Sequence, residues 1–175
     1  MTDTTSALAV INGMRDTGVI GKYAIGGAVA ASFYLEPSAT YDIDIFIPFD
    51  NAPGSAIASL SPIYEYLLKR GCKADGAHIL VEGWQVQFLP ADDALYKEAV
   101  NQAVETDVGG VKTWVMTAEH LMAIALKTGR AKDLIRVEQF VQHGYEEKIL
   151  NKILNRHNLL KQWDQFNEKF SGSTK

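Results

Sequence analysis

The residues with the clearest chemical potential are two aspartates in the stretch YDIDIFI, Asp42 and Asp44. Because this stretch is rich in β-branched and aromatic residues, it predicts a strand over 41–47. Side chains two residues apart in a strand project from one face, roughly 6.5–7 Å apart at the backbone, so the two carboxylates point together and repel each other. Mg²⁺ commonly binds one or two carboxylates together with substrate phosphates, and it would remove this repulsion. The alternative is an exposed sheet face on which both acids are simply solvated.

A glycine pair precedes the aspartates at the end of another predicted strand. Gly26 and Gly27 follow the short apolar run 22–25 and precede the alanine-rich segment 28–35, which predicts a helix. Backbone N–H groups at a turn from strand to helix can bind phosphate oxygens. Glycine is also common in ordinary turns, so the pair alone is weak evidence. The order of strand, glycine pair, helix and aspartate-bearing strand is much more specific.

This order, with IGG followed by a helix and TYDIDIFI, resembles the nucleotidyltransferase signature of the DNA polymerase β superfamily. Downstream, EHLMAIALKTGRAKDLIRVEQFV is similar to the helical segment of the minimal and AbiEii-like branch, in which a lysine commonly precedes G-R-x-K-D. The resemblance covers roughly residues 22–141. It implies Mg²⁺-dependent transfer of a nucleoside monophosphate from a nucleoside triphosphate to a hydroxyl acceptor, with pyrophosphate as the leaving group. The acceptor is left open among protein, RNA and small molecules, as is a partner protein or a homodimer.

The same resemblance implies roles for individual residues. Asp42 and Asp44 would be catalytic metal ligands, and Gly26 and Gly27 would contact the phosphates. The other phosphate contacts would come from Ser32 or Thr40 and from the cations Lys127, Arg130 and Lys132. The three cations also flank a helix boundary at Gly129, where basic residues are ordinary partners of the helix dipole, so a purely structural explanation is equally good.

The position of the superfamily's third acid carries a different residue. That acid is expected on a strand next to the aspartates, in the segment WQVQFLP, where Gln87 occupies the third catalytic position with Gln85 on the same face. A glutamine amide is uncharged and cannot act as a general base, which weakens metal binding, activation of the hydroxyl or both. Nearby acids that could compensate are Glu36, Asp75 and Glu82. The alternative function is therefore a catalytically degenerate nucleotidyltransferase fold that binds a nucleotide or a partner, for example in a toxin–antitoxin system.

The composition is that of an ordinary globular protein. With 47% hydrophobic and 22% charged residues among 175, the chain can bury a core of its own. The net charge of −4 provides no overall basic field for nucleic acid. Cys72 is the only cysteine, so no internal disulfide can form and a reducing compartment is expected. The N-terminus lacks the features of a signal peptide, and no apolar run reaches the ~18 residues of a membrane span, so we expect a cytoplasmic protein without membrane contact.

The order of predicted elements is a mixed α/β front half followed by helices. Residues 1–115 are expected to form an α/β (α+β) core, with a mixed sheet flanked by helices. Residues 116–175 predict three or four helices packed on that core, the first of them capped by Thr117. The other predicted elements are a helix over 5–19, a helix over 55–70 that Pro62 interrupts, strands over 79–81 and 84–89, a helix over 92–103 and a hairpin over 105–115. His120 is expected to be packed in its helix, and the remaining histidines share no metal-ligand spacing.

Overall fold

Strands and helices alternate along the front half of the chain in a computed structural model that describes residues 4–37, 40, 42–48 and 60–172. The strands are β1 (Ala24–Ile25), β2 (Asp42–Ile47), β3 (Lys73–Asp75), β4 (His78–Val81), β5 (Trp84–Pro90), β6 (Val104–Val108) and β7 (Val111–Val115). The helices are α1 (Thr4–Asp16), α2 (Gly27–Ala31), α3 (Ser61–Lys69), α4 (Ala94–Asn101), α5 (Ala118–Thr128), α6 (Ala131–His143), α7 (Glu147–Arg156) and α8 (Leu160–Gly172). This arrangement confirms the predicted fold class, a mixed sheet flanked by helices and followed by a helical segment.

The sheet brings together strands that are far apart in the sequence. In the described part of the chain it has seven strands in the order β3-β4-β5-β2-β1-β7-β6. The central strand β2 pairs with β5 in parallel and with β1 in antiparallel orientation. The strand β1 in turn runs parallel to β7, while the outer pairs β3–β4, β4–β5 and β6–β7 are antiparallel. Polar residues of β2 and β5 therefore lie side by side at the centre of the sheet.

The two faces of the central strands have opposite character. On β2, Ile43 and Ile45 are completely buried, whereas the alternate residues Asp42 and Asp44 are half-buried. The neighbouring strand β5 alternates in the same way, with buried Val86 and Phe88 between half-buried glutamines. Because successive side chains of a strand point to opposite faces, one face of β2 and β5 belongs to the core and the other is free for chemistry.

Helix α5 joins the helical segment to the sheet. Nearly all its residues are buried, which is the pattern of a helix surrounded on all sides, and it packs against α2, α4, α6, α7 and α8. The predicted cap is confirmed, since Thr117 Oγ1 accepts a hydrogen bond from the N–H of His120 at 3.3 Å. The proposed division into residues 1–115 and 116–175 stays a prediction, with its boundary in the connection between β7 and α5. Among the helices that the structure describes, none combines the length and the apolar character needed to cross a membrane.

The structure adds to the sequence analysis at Pro62 and at strand β3. The described helix α3 begins at Ser61, and Pro62 lies in its first turn, where the N–H that proline lacks has no partner within the helix. Strand β3 was not predicted, because its three residues are all exposed and show no apolar alternation. The predicted loop at Pro53 and Gly54 and positions 55–59 of the predicted helix lie outside the described residues.

Candidate active site

A cavity of about 790 Å³ opens on the polar face of β2 and β5. It is also lined by residues of α5 and of the first half of α6. Its charged and amide side chains are Asp42, Asp44, Asp133, Gln85, Gln87, Arg130, Lys132 and Arg136. The remaining lining is mainly apolar and includes Phe46, Leu89, Leu121 and Ile124. The cavity thus places two same-facing carboxylates and three cationic side chains around one space.

The parallel pairing of β2 and β5 fixes which side chains are neighbours. Asp42 lies opposite Gln85 and Asp44 lies opposite Gln87, so two acids face two amides across adjacent strands. The hydroxyl of Thr40 donates a hydrogen bond to Oδ1 of Asp42 at 2.5 Å and holds that carboxylate. Gln87 therefore occupies the strand position next to Asp44 where the superfamily resemblance places a third acid.

Gly27 allows the first turn of α2 to approach the acid pair closely. Its φ of +61° lies in the left-handed region, and an ideal Cβ at this position would be 2.1 Å from Oδ2 of Asp44. Gly26 does not line the cavity but contacts two residues that do, Asp44 and Phe46. Its N–H donates to the carbonyl of Asp44 at 3.0 Å, and a Cβ there would be 2.5 Å from the ring of Phe46. Any larger residue at either position would displace part of the site.

The acid pair carries an electrostatic cost. Burial and repulsion from the neighbouring Asp42 carboxylate raise the pKa of Asp44 above its ordinary value. The charges of His78, Lys132 and Arg130 act in the opposite direction without cancelling these effects. A cation beside the pair would stabilise the ionised form of Asp44.

Cationic side chains enter the cavity from the start of α6. Arg130, Lys132 and Arg136 all line it, and Arg136 had not been singled out in the sequence. The carboxylate of Asp133 accepts a hydrogen bond from Nε of Arg130 at 2.5 Å, and Nη1 of Arg136 lies 3.8 Å from its other oxygen. The bond to Asp133 also raises the pKa of the Arg130 guanidinium above its usual value. The positive charges of Arg130 and Lys132 act to lower the pKa of Asp44, although burial has the larger effect and raises it.

The structure does not bring Lys127 into this cavity. The ammonium of Lys127 forms an ion pair with Asp93, which caps the N-terminus of α4, and it lies 5.5 Å from the centre of the Tyr96 ring. The ring of Tyr96 also stacks on the ring of Phe46, with 5.2 Å between the two ring centres. Lys127 thus supports the wall of the cavity through Tyr96.

The donor set of the cavity fits Mg²⁺ in part. Two carboxylates on one face, joined by phosphate oxygens of a substrate, match the ligands that Mg²⁺ takes in nucleotide-binding sites. The amide oxygen of Gln87 could add a neutral ligand. No group of three histidine, cysteine or acidic side chains is placed to hold a metal among the described residues. The acids that the sequence offered as substitutes, Glu36, Asp75 and Glu82, do not line the cavity.

Sequence reasoning missed a second polar cluster, which joins helix α4, helix α5 and the C-terminal end of helix α7. The carboxylate of Glu98 on α4 accepts hydrogen bonds from Arg156 at 2.6 Å and His157 at 2.8 Å, and Nε2 of His120 lies 3.4 Å away. His120 is packed as expected, with 1% exposure, and its Nδ1 lies 2.8 Å from the hydroxyl of Thr117. No spacing rule links residues 98, 120 and 157, so only the tertiary structure reveals the cluster.

Comparisons with known proteins identify the fold. No protein-family model and no curated protein matches the sequence. Among solved structures, an antigenic nucleotidyltransferase-like protein from Paracoccidioides brasiliensis matches with a TM-score of 0.57 and 15% identity, over 95% of this chain and 91% of that one. The solution structure of the antibiotic-resistance factor ANT(2'')-Ia matches with a TM-score of 0.54 and 14% identity, over 94% and 99% of the two chains. The crystal structure of ANT(2'')-Ia in complex with adenylyl-2''-tobramycin matches with a TM-score of 0.50 and 11% identity, over 93% and 98%.

The chain therefore has a nucleotidyltransferase-like fold along most of its length. At sequence identities of 11–15%, these similarities concern the fold, and the function has to be argued from the cavity itself.

Proposed function

We propose that this protein is a Mg²⁺-dependent nucleotidyltransferase that moves a nucleoside monophosphate from a nucleoside triphosphate to an acceptor hydroxyl. The observation that carries the proposal is the pair Asp42 and Asp44, which faces one cavity together with the glycine turn at Gly27 and a group of cations. Nucleotidyl transfer depends on charge neutralisation and in-line positioning, and it asks for little covalent chemistry from the protein. The acids and cations that line the cavity support the first requirement, and the cavity's shared lining by both supports the second.

Each part of the cavity has a role in this proposal. Asp42 and Asp44 would hold the metal, and Thr40 keeps the Asp42 carboxylate in place. Bound Mg²⁺ would neutralise phosphate charge and favour departure of pyrophosphate. The first turn of α2 approaches the phosphates at Gly27, where a side chain would collide with Asp44. The acceptor oxygen would bond to the α-phosphorus as the bond to pyrophosphate breaks, and the hydroxyl proton would pass to solvent water, since the amide of Gln87 cannot accept it.

The test is transfer of label from nucleotides. The protein is incubated with Mg²⁺ and each α-labelled nucleoside triphosphate, alone and with RNA, protein or small-molecule fractions of a cell extract. Asp42→Asn and Asp44→Asn keep the shape of the side chains and should lower transfer about 100-fold or more, because a metal contributes several kcal/mol to such reactions. Asp164→Asn, an exposed position on α8, is the matched control and should transfer like the wild type. Absence of label transfer across all fractions would contradict the proposed nucleotidyltransferase activity.

The acceptor classes to be tested include small molecules for a specific reason. ANT(2'')-Ia was solved in complex with adenylyl-2''-tobramycin, so that protein of similar fold holds an adenylylated small molecule. RNA and protein acceptors stay in the screen because nothing in the lining of the cavity selects among the three classes.

A second candidate function is a binding module without catalysis. It is favoured by the pairing of Gln87 with Asp44, which places an uncharged amide where a third acid would activate the acceptor. This function predicts that nucleotide and Mg²⁺ raise the melting temperature without any turnover. The variant Gln87→Glu would then introduce transfer activity, whereas efficient transfer by the wild type excludes this function.

The cellular setting is also proposed on chemical grounds. A single cysteine, the half-buried and free Cys72, is compatible with the reducing cytoplasm, where nucleoside triphosphates are abundant. The AbiEii-like branch and a toxin–antitoxin role rest on the K-T-G-R-A-K-D stretch alone. A neighbouring gene for a small partner protein, and co-purification of the two products or of a homodimer, would test that role.

A further inference from the structure

Asp133 is an unusual residue to find in a cavity meant for phosphates. It lies in the first turn of α6, lines the cavity and exposes only 7% of its side chain. A carboxylate in this place repels an anionic substrate and is costly to bury without partners. Its partners are two arginines, Arg130 through a 2.5 Å hydrogen bond and Arg136 at 3.8 Å. The cost of burying Asp133 is therefore linked to these two cations.

The two arginines have contrasting surroundings but share the cavity. The side chain of Arg130 is 61% exposed and that of Arg136 is 22% exposed, and both line the same space as the acid pair. A long exposed guanidinium samples many conformations unless a partner restrains it. Each oxygen of the Asp133 carboxylate faces one of the arginines, which restrains both side chains from a single point. The remaining N–H groups of each planar guanidinium stay available for phosphate oxygens.

We propose that Asp133 is a positioning residue that holds Arg130 and Arg136 as a clamp for the terminal phosphates of the donor nucleotide. The inference rests on the proposed function, because it assumes that a nucleoside triphosphate enters this cavity. Arg130 and Arg136 line the same cavity as Asp42 and Asp44, the acid pair at which the α-phosphate would react. The ligand chemistry of the clamp is a pyrophosphate group, which a triphosphate donor presents and a monophosphate does not.

A structural role for Asp133 makes the opposite prediction. An acid in the first turn of a helix stabilises the helix through its dipole, and ion pairs with nearby arginines add to that. In this case Asp133→Asn lowers the stability of the fold but removes a negative charge from the cavity. By charge alone, the variant then binds a polyanion more tightly than the wild type. The sign of the change in anion affinity distinguishes positioning from structure.

The experiment is calorimetric titration of the full chain with pyrophosphate in the presence of Mg²⁺. Asp133→Asn and Arg136→Gln should each weaken binding about tenfold or more, the loss expected when a charge-assisted hydrogen bond loses its geometry. The control is Glu105→Gln, which breaks an exposed ion pair with Lys112 between β6 and β7, outside the cavity, and should leave affinity unchanged. Circular dichroism at the temperature of the titration verifies that each variant is folded. If Asp133→Asn is unfolded, Asp133→Glu keeps the charge but moves the carboxylate, and it should weaken binding as well.

A double-variant cycle tests whether Asp133 and Arg136 contribute to pyrophosphate binding together or independently. If Asp133 acts through Arg136, the loss caused by Asp133→Asn should shrink once Arg136→Gln is already present. Equal or tighter binding by Asp133→Asn overturns the clamp and leaves the proposed function intact. If wild-type protein does not bind pyrophosphate, the clamp is overturned, and the proposed function falls with it only if label transfer is also absent.

Discussion

Replacement of Gly27 by alanine tests the geometry of the acid pair most directly. Gly27 has a φ of +61°, and a left-handed conformation costs a residue with a Cβ roughly 1–2 kcal/mol. The new Cβ would lie 2.1 Å from Oδ2 of Asp44, whereas ordinary van der Waals contact begins at 3.4 Å. The carboxylate therefore has to move by about 1.3 Å, the difference between these two distances. A displacement of about 1 Å in a reacting centre can cost 100-fold in rate.

We expect Gly27→Ala to lose about 100-fold in Mg²⁺-dependent transfer and to be destabilised by about 2–4 kcal/mol, from backbone strain and crowding together. The assays are α-label transfer over a range of Mg²⁺ concentrations and urea unfolding. For a protein of this length, each kcal/mol lowers the melting temperature by about 2–4 °C. The same variant should lose Mg²⁺-dependent nucleotide binding if the protein binds without turnover.

Gly76→Ala is the matched control for backbone strain. Gly76 has a φ of +60°, and a Cβ there would meet no atom within 4 Å. It should therefore lose only the roughly 1–2 kcal/mol of backbone strain and keep its transfer rate. If Gly27→Ala retains wild-type transfer and Mg²⁺ dependence, Asp44 does not need its observed position and the reasoning about the site is refuted.

Three further predictions concern charge and buried polar groups. The pKa of Asp44 is raised in the folded protein, so its ionised form lowers stability as the pH rises through that pKa. Without Mg²⁺, Asp44→Asn should therefore have a higher melting temperature than the wild type at pH 7 and the same melting temperature at pH 3. Tyr23→Phe removes the partner of Asn12 at 2.8 Å and of buried Thr113 at 3.1 Å, and urea unfolding should show a loss of about 1–2 kcal/mol. Burial alone would raise the pKa of Glu98, but hydrogen bonds from its basic partners lower it. In urea unfolding, the free energy of unfolding of the wild type should therefore exceed that of Glu98→Gln by about 1–3 kcal/mol at pH 7, and this difference should disappear as the pH falls below about 4.

Much of the fold can be predicted because local signals and tertiary packing agree. The alternation of isoleucine and aspartate in β2 follows the period of a strand, and the predicted strands over 79–81 and 84–89 correspond to β4 and β5. Helices of the rear half follow their apolar periodicity. The structure describes four of them, in agreement with the predicted three or four. The exposed edge strand β3 has no such signal, which is why it was missed.

The candidate site was less predictable than the fold. The spacing of Asp42 and Asp44 shows that they share a face but not which residue lies beside them. The superfamily resemblance places Gln87 on a neighbouring strand, and the sheet register pairs it with Asp44. Arg136 looks like any helical surface arginine until the packing of α6 turns it into the cavity. Lys127 shows the converse, since its motif predicts a phosphate contact while its partner Asp93 comes from a helix 34 residues away in sequence. Contacts between distant segments are not encoded in local spacing, so they require the structure.

The two-residue period of the central strands has a consequence for how this protein can evolve. Buried Val86 and Phe88 secure β5 in the sheet, while Gln85 and Gln87 lie on the other face. A change between amide and acid at position 87 therefore alters the chemistry of the cavity without touching the core. Exchange of Gln87 for an acid is a single substitution, and we expect it to have little effect on folding. On the proposed function, one exchange at this position would shift the protein between catalysis and simple binding on the same scaffold.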